Sequence, residues 1–337
     1  MSNKSLEQLW KKGTDFLGTD HAIMGGAMSW ISERNLVSAI SNSGCFGVIA
    51  CGAMSVDMLR EEIIETQKLT DKPFGVNLIT MHPDLDELVD ICGELKVTHL
   101  VLAGGLPKTA TIQRAKESGM KVICFAPAAL LAKKIIKSGA DAIVIEGSEA
   151  GGHIGPVSTS VLAQEIIPFV NEEYPDIPVF VAGGIARGET IASYLQMGAS
   201  GVQLGTAFVC TDECIAHENF KKLFIKSKAK DATISVQIDP DLPVIPVRAI
   251  ENKATIEFEN LQRTVSDEYR NGDLDKTEAQ LKIERFWAGA LRNAVIDGDV
   301  EKGSVMAGQS VGMVKSVQPV SEVVSELISQ AGNFLNR

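Results

Sequence analysis

The chain is short of basic charge. In 337 residues, 32 Lys and Arg stand against 43 Asp and Glu, a formal net charge of −11. A broad nucleic-acid or anionic-membrane surface needs clustered cations, so both are argued against, although a few local basic groups suffice to hold one phosphate. No run of roughly 18 apolar residues occurs, so no transmembrane helix is expected. The amino-terminal M-S-N-K-S-L-E-Q-L-W-K-K lacks the apolar stretch of a signal peptide. The expected compartment is the cytoplasm. Cysteines are few and scattered: Cys45, Cys51, Cys92, Cys124, Cys210 and Cys214 form no C-x-x-C pair and have no histidine at zinc-finger spacing. This argues against structural zinc or an iron–sulfur cluster and for reduced, buried thiols; no metal site is expected. Cys210 and Cys214 share one face if their segment is helical.

Several nucleotide and hydrolase signatures are also missing. Neither the Walker pattern G-x-x-x-x-G-K-[ST] nor a G-x-G-x-x-G fingerprint opening an early helix is present, which leaves a mononucleotide-like ligand as the favoured one. Without a G-x-S-x-G elbow or a Ser-His-Asp order, acyl-transfer hydrolysis has no support. No low-complexity tract or disordered linker is evident.

What the chain does have is 45% hydrophobic residues, enough to bury a large core as one domain with an insertion or as two domains. From residue 21 to about 205, short apolar runs alternate with amphipathic segments. Candidate strands cover residues 21–28, 46–51, 73–79, 98–103, 121–125, 141–146, 178–182 and 201–204. Their unbroken apolar character (V-I-C-F, A-I-V-I, V-F-V-A) is that of strands buried on both faces of a parallel sheet. Segments 83–95, 110–118, 128–138 and 159–170 carry apolar residues at helical spacing, and several helices stop at a glycine such as Gly119, Gly139 or Gly198. Ser158 and Ser160 are placed to cap a helix. Eight such units predict an α/β fold, a (β/α)8 TIM barrel.

After Thr206 the rhythm breaks. Residues 212–300 are richer in charge and helix formers, contain the stiff turn P-D-L-P-V-I-P at 240–246, and predict a smaller, mainly helical lobe inserted after the eighth strand. The expected division is 1–211 for the barrel, 212–300 for a lobe covering the substrate, and 301–337 for the return to the barrel. In that last part G-S-V-M-A-G-Q-S-V-G at 303–312 leads back to the barrel mouth and residues 320–335 form a closing helix.

Functional groups of such a barrel gather where the strands end, and the loops after strands seven and eight form its usual phosphate site. Here the strand at 141–146 runs into G-S-E-A-G-G-H-I-G, the next into Gly183-Gly184, and the eighth into Gly205-Thr206. Glycine leaves backbone N–H groups unobstructed and lets the chain approach a ligand closely, so these ends suggest a phosphate and a flat cofactor. Gly25-Gly26-Ala27-Met28 ends the first strand and Asn77 the third. They supply small groups for an isoalloxazine face and an amide for its pyrimidine edge. Asn77 reads equally as a turn-forming asparagine. Glu146, a carboxylate beside a buried core, needs a partner such as ribityl hydroxyls. His153 is the candidate acid or base, since an imidazole titrates near neutral pH; the alternative is a histidine that bonds a loop carbonyl. His21, His82, His99 and His217 read as structural.

These residues resemble the nitronate monooxygenase (2-nitropropane dioxygenase) family, which includes enoyl-acyl-carrier-protein reductase II. The resemblance covers nearly the whole chain. It rests on G-G-A-M-S-W at 25–30, K-P-F-G-V-N at 72–77, E-G-S-E-A-G-G-H at 146–153, A-G-G-I at 182–185, Q-L-G-T at 203–206 and G-S-V-M-A-G-Q at 303–309. It implies FMN in a TIM barrel with an extra lobe over the active site. By the same resemblance Met24, Gly25, Asn77, Glu146 and Gly151 hold the flavin ring and ribityl chain, Gly184 and Gln203, Leu204, Gly205 and Thr206 hold the phosphate, and His153 is catalytic. The missing cysteine motif excludes the branch with an iron–sulfur cluster. Several nitronate monooxygenases have glutamine where Glu146 stands, whereas reductases tend to have glutamate. The long D-P-D-L-P-V-I-P segment departs from the short reductase loop.

The leading expectation is an FMN-dependent oxidoreductase that oxidises alkyl nitronates with molecular oxygen to a carbonyl compound and nitrite. The rival is an enoyl-thioester reductase with NAD(P)H as electron donor. A third reading is a non-catalytic flavin-binding barrel. The expected partners are small-molecule substrates, with no nucleic acid and no membrane; a homodimer stands open.

Overall fold

Residues 5–52 and 54–337 are described in a computed structural model of the chain. Helix α1 (Leu6–Leu17) begins at a capping box between Ser5 and Gln8 and stops at Gly18, whose φ of 74° is the left-handed conformation that ends many helices. Six strands follow in parallel: β1 (Ile23–Gly25), β2 (Gly47–Ala50), β3 (Phe74–Ile79), β4 (His99–Ala103), β5 (Lys121–Phe125) and β6 (Ala142–Glu146). The two-residue β7 (Gly152–His153) belongs to another sheet, and β8 (Val179–Ala182) and β9 (Gly201–Leu204) complete the first. Their order is β1-β9-β8-β6-β5-β4-β3-β2, and a parallel bridge from Met24 to Phe46 returns the last strand to the first. Helices α2 (Arg34–Asn42), α3 (Val56–Leu69), α4 (Leu85–Glu94), α5 (Thr109–Glu117), α6 (Ala129–Lys137), α7 (Thr159–Glu173) and α8 (Gly188–Gln196) run between them. This is the (β/α)8 barrel that the rhythm of the sequence predicts.

The reason is visible strand by strand. In β6, Ala142, Ile143, Val144 and Ile145 are all fully buried, so side chains on both faces are covered, one set filling the barrel and the other meeting the helices. Helix α13 (Val320–Leu335) closes the chain against α8, where Gly188 donates its N–H to Gln330 Oε1 at 2.8 Å. A side chain at 188 would meet the carbonyl of Leu327 at 2.1 Å, so only glycine allows this approach.

Between them lie α9 (Thr206–Val209), α10 (Glu218–Lys226), β10 (Ala232–Ile234), β11 (Val247–Ile250), α11 (Lys253–Asn271) and α12 (Lys276–Val295). The lobe is mainly helical and has its own apolar cluster of Leu242, Val247, Phe258, Val265, Ala279, Ile283 and Trp287, with Phe258 and Trp287 ring centroids 4.2 Å apart. The buried Asp239 accepts hydrogen bonds from Ser266 and Arg270 of α11 and from the backbone of Asp241, which pins the proline-rich turn to the helix. Composition concealed one feature of this region. Strands β10 and β11 pair antiparallel with each other, and β11 pairs with β7, giving a three-stranded sheet. Such short strands owe their existence to a distant partner and leave no local periodicity to read.

All six cysteines are buried and free. Helix α9 ends at Val209, so Cys210 and Cys214 do not share a helical face. Among the described residues no helix is long and apolar enough to cross a membrane.

Candidate active site

Neighbouring barrel strands gather the polar residues singled out in the sequence. Glu146 of β6 is in register with Ala182 of β8, Ala182 with Gln203 of β9, and Gln203 with Met24 of β1. Residues in register on parallel strands face the same side of the sheet, so these four form one rung at the C-terminal end of the barrel. Met24 and Leu204 are buried. Glu146 has no hydrogen-bond or cationic partner among the described residues, and burial pushes its carboxyl up to about 7. The neutral acid, which can donate one hydrogen bond as well as accept, is therefore still substantially populated near neutral pH. Across the mouth, Asn77 lies within β3, not in a turn at its end. Its Nδ2 donates to the Val101 carbonyl at 3.0 Å, which fixes the amide.

The loops after β8 and β9 present bare backbone. Gly183 and Gly184 have φ of 101° and 71°, conformations that side chains rarely adopt. Among the described residues no protein acceptor takes the N–H groups of Gly184, Gly205 or Thr206. A Cβ at Gly26 would touch the Gly205 Cα at 3.4 Å, so the loop after β1 lies against this one. Unpaired donors on glycine turns fit a phosphate, and the neighbouring Gln203 and Glu146, with Asn77 across the mouth, fit the polar edge and hydroxyls of a flavin mononucleotide.

The segment between β6 and β7 is clamped from several sides. Glu149 takes both the N–H and the hydroxyl of Thr159, at 2.8 and 2.9 Å, through one carboxylate oxygen, and so caps α7 from ten residues upstream. Ser158 occupies the N-cap position but its side chain makes no cap bond, and Ser160 lies inside the helix; the expected serine cap is replaced by this carboxylate. The returning segment enters here: Gln309 donates to the Glu149 carbonyl at 2.9 Å and Gly308 to the Thr206 hydroxyl at 3.1 Å. His153 is an exposed residue of β7 in register with Val247 of the lobe, so the candidate acid–base group stands on a strand, not in a free loop. The other histidines are structural. His99 is buried between Thr98 Oγ1 and the Phe16 carbonyl and is driven down to about 4 by burial, while His82 and His217 accept backbone N–H groups at helix starts. His21 packs on Trp10 with its Nδ1 enclosed.

Three residues escaped sequence reasoning. Glu149 lies inside the quoted motif, but nothing local points to a helix ten residues on. Arg248 is buried on β11; its signal was a cation inside the apolar run V-R-A-I. Trp30 follows β1 with φ of 66°, a strained conformation for so bulky a residue, and Arg292 of α12 stands 5.7 Å from its ring.

The nitronate monooxygenase family model matches residues 11–96 and 86–330. A 5-hydroxy-7a-methyl-1-oxo-octahydro-1H-indene-4-carboxyl-CoA dehydrogenase of Rhodococcus jostii is 28% identical, over 94% of this chain and 94% of that protein. A probable nitronate monooxygenase of Staphylococcus saprophyticus is 27% identical, over 96% of this chain and 98% of its own length. Among solved structures, FabK from Thermotoga maritima superposes with a TM-score of 0.85 at 34% identity, covering 99% of this chain and 98% of that one.

Proposed function

The chain belongs to the nitronate monooxygenase family and is an oxidoreductase; within that family we propose that it is FMN-dependent and exchanges hydride between NAD(P)H and an acyl thioester. The observation that carries the flavin is the rung of Glu146, Ala182, Gln203 and Met24 beside the unpaired N–H groups of Gly184, Gly205 and Thr206. In this reading Gly184 and residues 203–206 hold the phosphate, Glu146 and Asn77 bond the ribityl and ring edge, and the backbones of Met24, Gly25 and Gly151 lie against the ring. When bound, FMN supplies the hydride acceptor for NAD(P)H and the hydride donor for carbon. His153 holds the thioester and delivers a proton to its α-carbon as the β-carbon takes the hydride. The thioester is favoured by the extent of likeness to FabK, by the carboxyl-CoA dehydrogenase among the relatives, and by a carboxyl at 146.

A second reading, oxidation of alkyl nitronates by oxygen, is favoured by the relatives named probable nitronate monooxygenase. Anaerobic mixing separates the two. Flavin bleached by NADH or NADPH and restored by an enoyl-CoA supports the thioester reading. Flavin that neither nucleotide bleaches, together with turnover of a nitronate in air, overturns it.

A further inference from the structure

We infer that Arg248 of the lobe is a positioning residue for His153, so that the lobe forms part of the proton-transfer apparatus as well as covering it. The inference rests on the proposed role of His153. Between Glu146 and His153 the chain contains Gly147, Gly151 and Gly152, the last with φ of 78°, and a backbone this rich in glycine has little stiffness of its own. The barrel sheet does not pair with β7; its partner is β11. There Val247 stands opposite His153, Arg248 opposite Gly152, and Ile154 donates to the Pro246 carbonyl at 2.9 Å.

Arg248 then fastens the other end of the same segment. Its Nε donates to the Ser148 carbonyl at 2.8 Å and its Nη1 to the Ala232 carbonyl of β10 at 2.5 Å. Its own carbonyl accepts from Ala307 of the returning segment at 3.4 Å, and the next residue, Ala249, bridges to Met306. One buried residue thus grips the start of the segment with its side chain and the end with its backbone. Lobe stability alone gives little reason for it. An apolar residue of similar size would avoid desolvating a guanidinium. Only a rigid fork reaches both carbonyls, because a lysine offers a single nitrogen.

The test is a double-mutant cycle on the flavin-loaded enzyme with Arg248→Met, His153→Asn and the pair, accompanied by NMR of the His153 ring, identified as the signal missing from His153→Asn. Arg248→Met is expected to slow the thioester step by about 10-fold to 100-fold, the cost of misplacing a reacting group, while flavin reduction by the nicotinamide in the FMN-saturated variant stays near wild type. The double variant is expected to be no slower than His153→Asn, because both changes remove one function. Before any substrate is added, the His153 signal should move in Arg248→Met and return part of the way in Arg248→Lys. Multiplicative losses with an unmoved His153 signal overturn the inference. Full activity of His153→Asn overturns the proposed role of His153 instead, and the NMR arm still reports whether Arg248 holds the ring. Should Arg248→Met not fold, Arg248→Lys and Arg248→Gln carry the same cycle.

Discussion

Gly151 and Gly308 meet backbone to backbone: a Cβ placed on Gly151 would lie 2.6 Å from the Gly308 nitrogen and 2.7 Å from the Ala307 carbonyl carbon. The segment that carries His153 and the one that returns from the lobe are thereby in direct contact, and nothing flexible stands between them. Gly151→Ala forces one backbone to shift, at a cost of about 1–3 kcal/mol typical of overpacking. The expected outcome is a lower unfolding midpoint in denaturant and weaker flavin retention. Unchanged values of both contradict the contact.

At Gly205 the space and the charge can be separated. A Cβ there meets only the Met28 side chain, with Sδ at 3.3 Å, and the backbone is not left-handed. Gly205→Ala is therefore expected to keep FMN. Gly205→Asp sets a carboxylate against the phosphate, and two like charges about 4 Å apart repel by roughly 4 kcal/mol at an effective dielectric of 20. Fluorescence titration with FMN checks both variants, and equal affinities for them would move the phosphate elsewhere.

Glu146 gives the flavin-free protein a pH signature. Burial raises its carboxyl from 4.5 to about 7, so between these values the folded state binds more protons than the unfolded one. Stability then falls as pH rises from 4.5 to 7 and the loss is constant above, reaching at most about 3 kcal/mol because solvent at the mouth screens the charge. Glu146→Gln keeps the donor and acceptor but never ionises. Relative to wild type it should gain stability between pH 5 and pH 8, as measured by denaturant unfolding of protein freed of flavin. A difference that does not change with pH refutes the buried carboxyl.

His153→Asn leaves the backbone pairing of β7 intact and replaces an exposed side chain, so flavin binding and melting temperature are expected to stay near wild type. Reduction by NAD(P)H should persist, while the thioester step falls by about 100-fold or more, as loss of a positioned acid–base group does. If nitronates are the true substrates, neutral nitroalkanes should suffer more than preformed nitronates, since only the former must lose a carbon-bound proton. Full activity with every substrate would contradict a catalytic role, and joint loss of flavin and stability would mark the histidine as a scaffold residue.

The sequence by itself determined the barrel, because a parallel strand buried on both faces must be apolar throughout, as A-I-V-I of β6 is, and because amphipathic segments between such strands have one face to bury. It determined the glycine-rich strand ends as well: conformations such as that of Gly184 leave a mark in residue type. The closing helix Val320–Leu335 was legible for the same reason of periodicity. Tertiary structure alone decided that His153 is a strand residue, since β7 exists through β11 ninety-odd residues later in the chain. It decided that Glu149 and not Ser158 caps α7, and that Asn77 is held by Val101 inside a strand. It also brought Arg248 to Ser148. Local patterns record which face of an element is buried; which carbonyl a charged side chain finds depends on folding distant segments together, and no spacing in the chain encodes that.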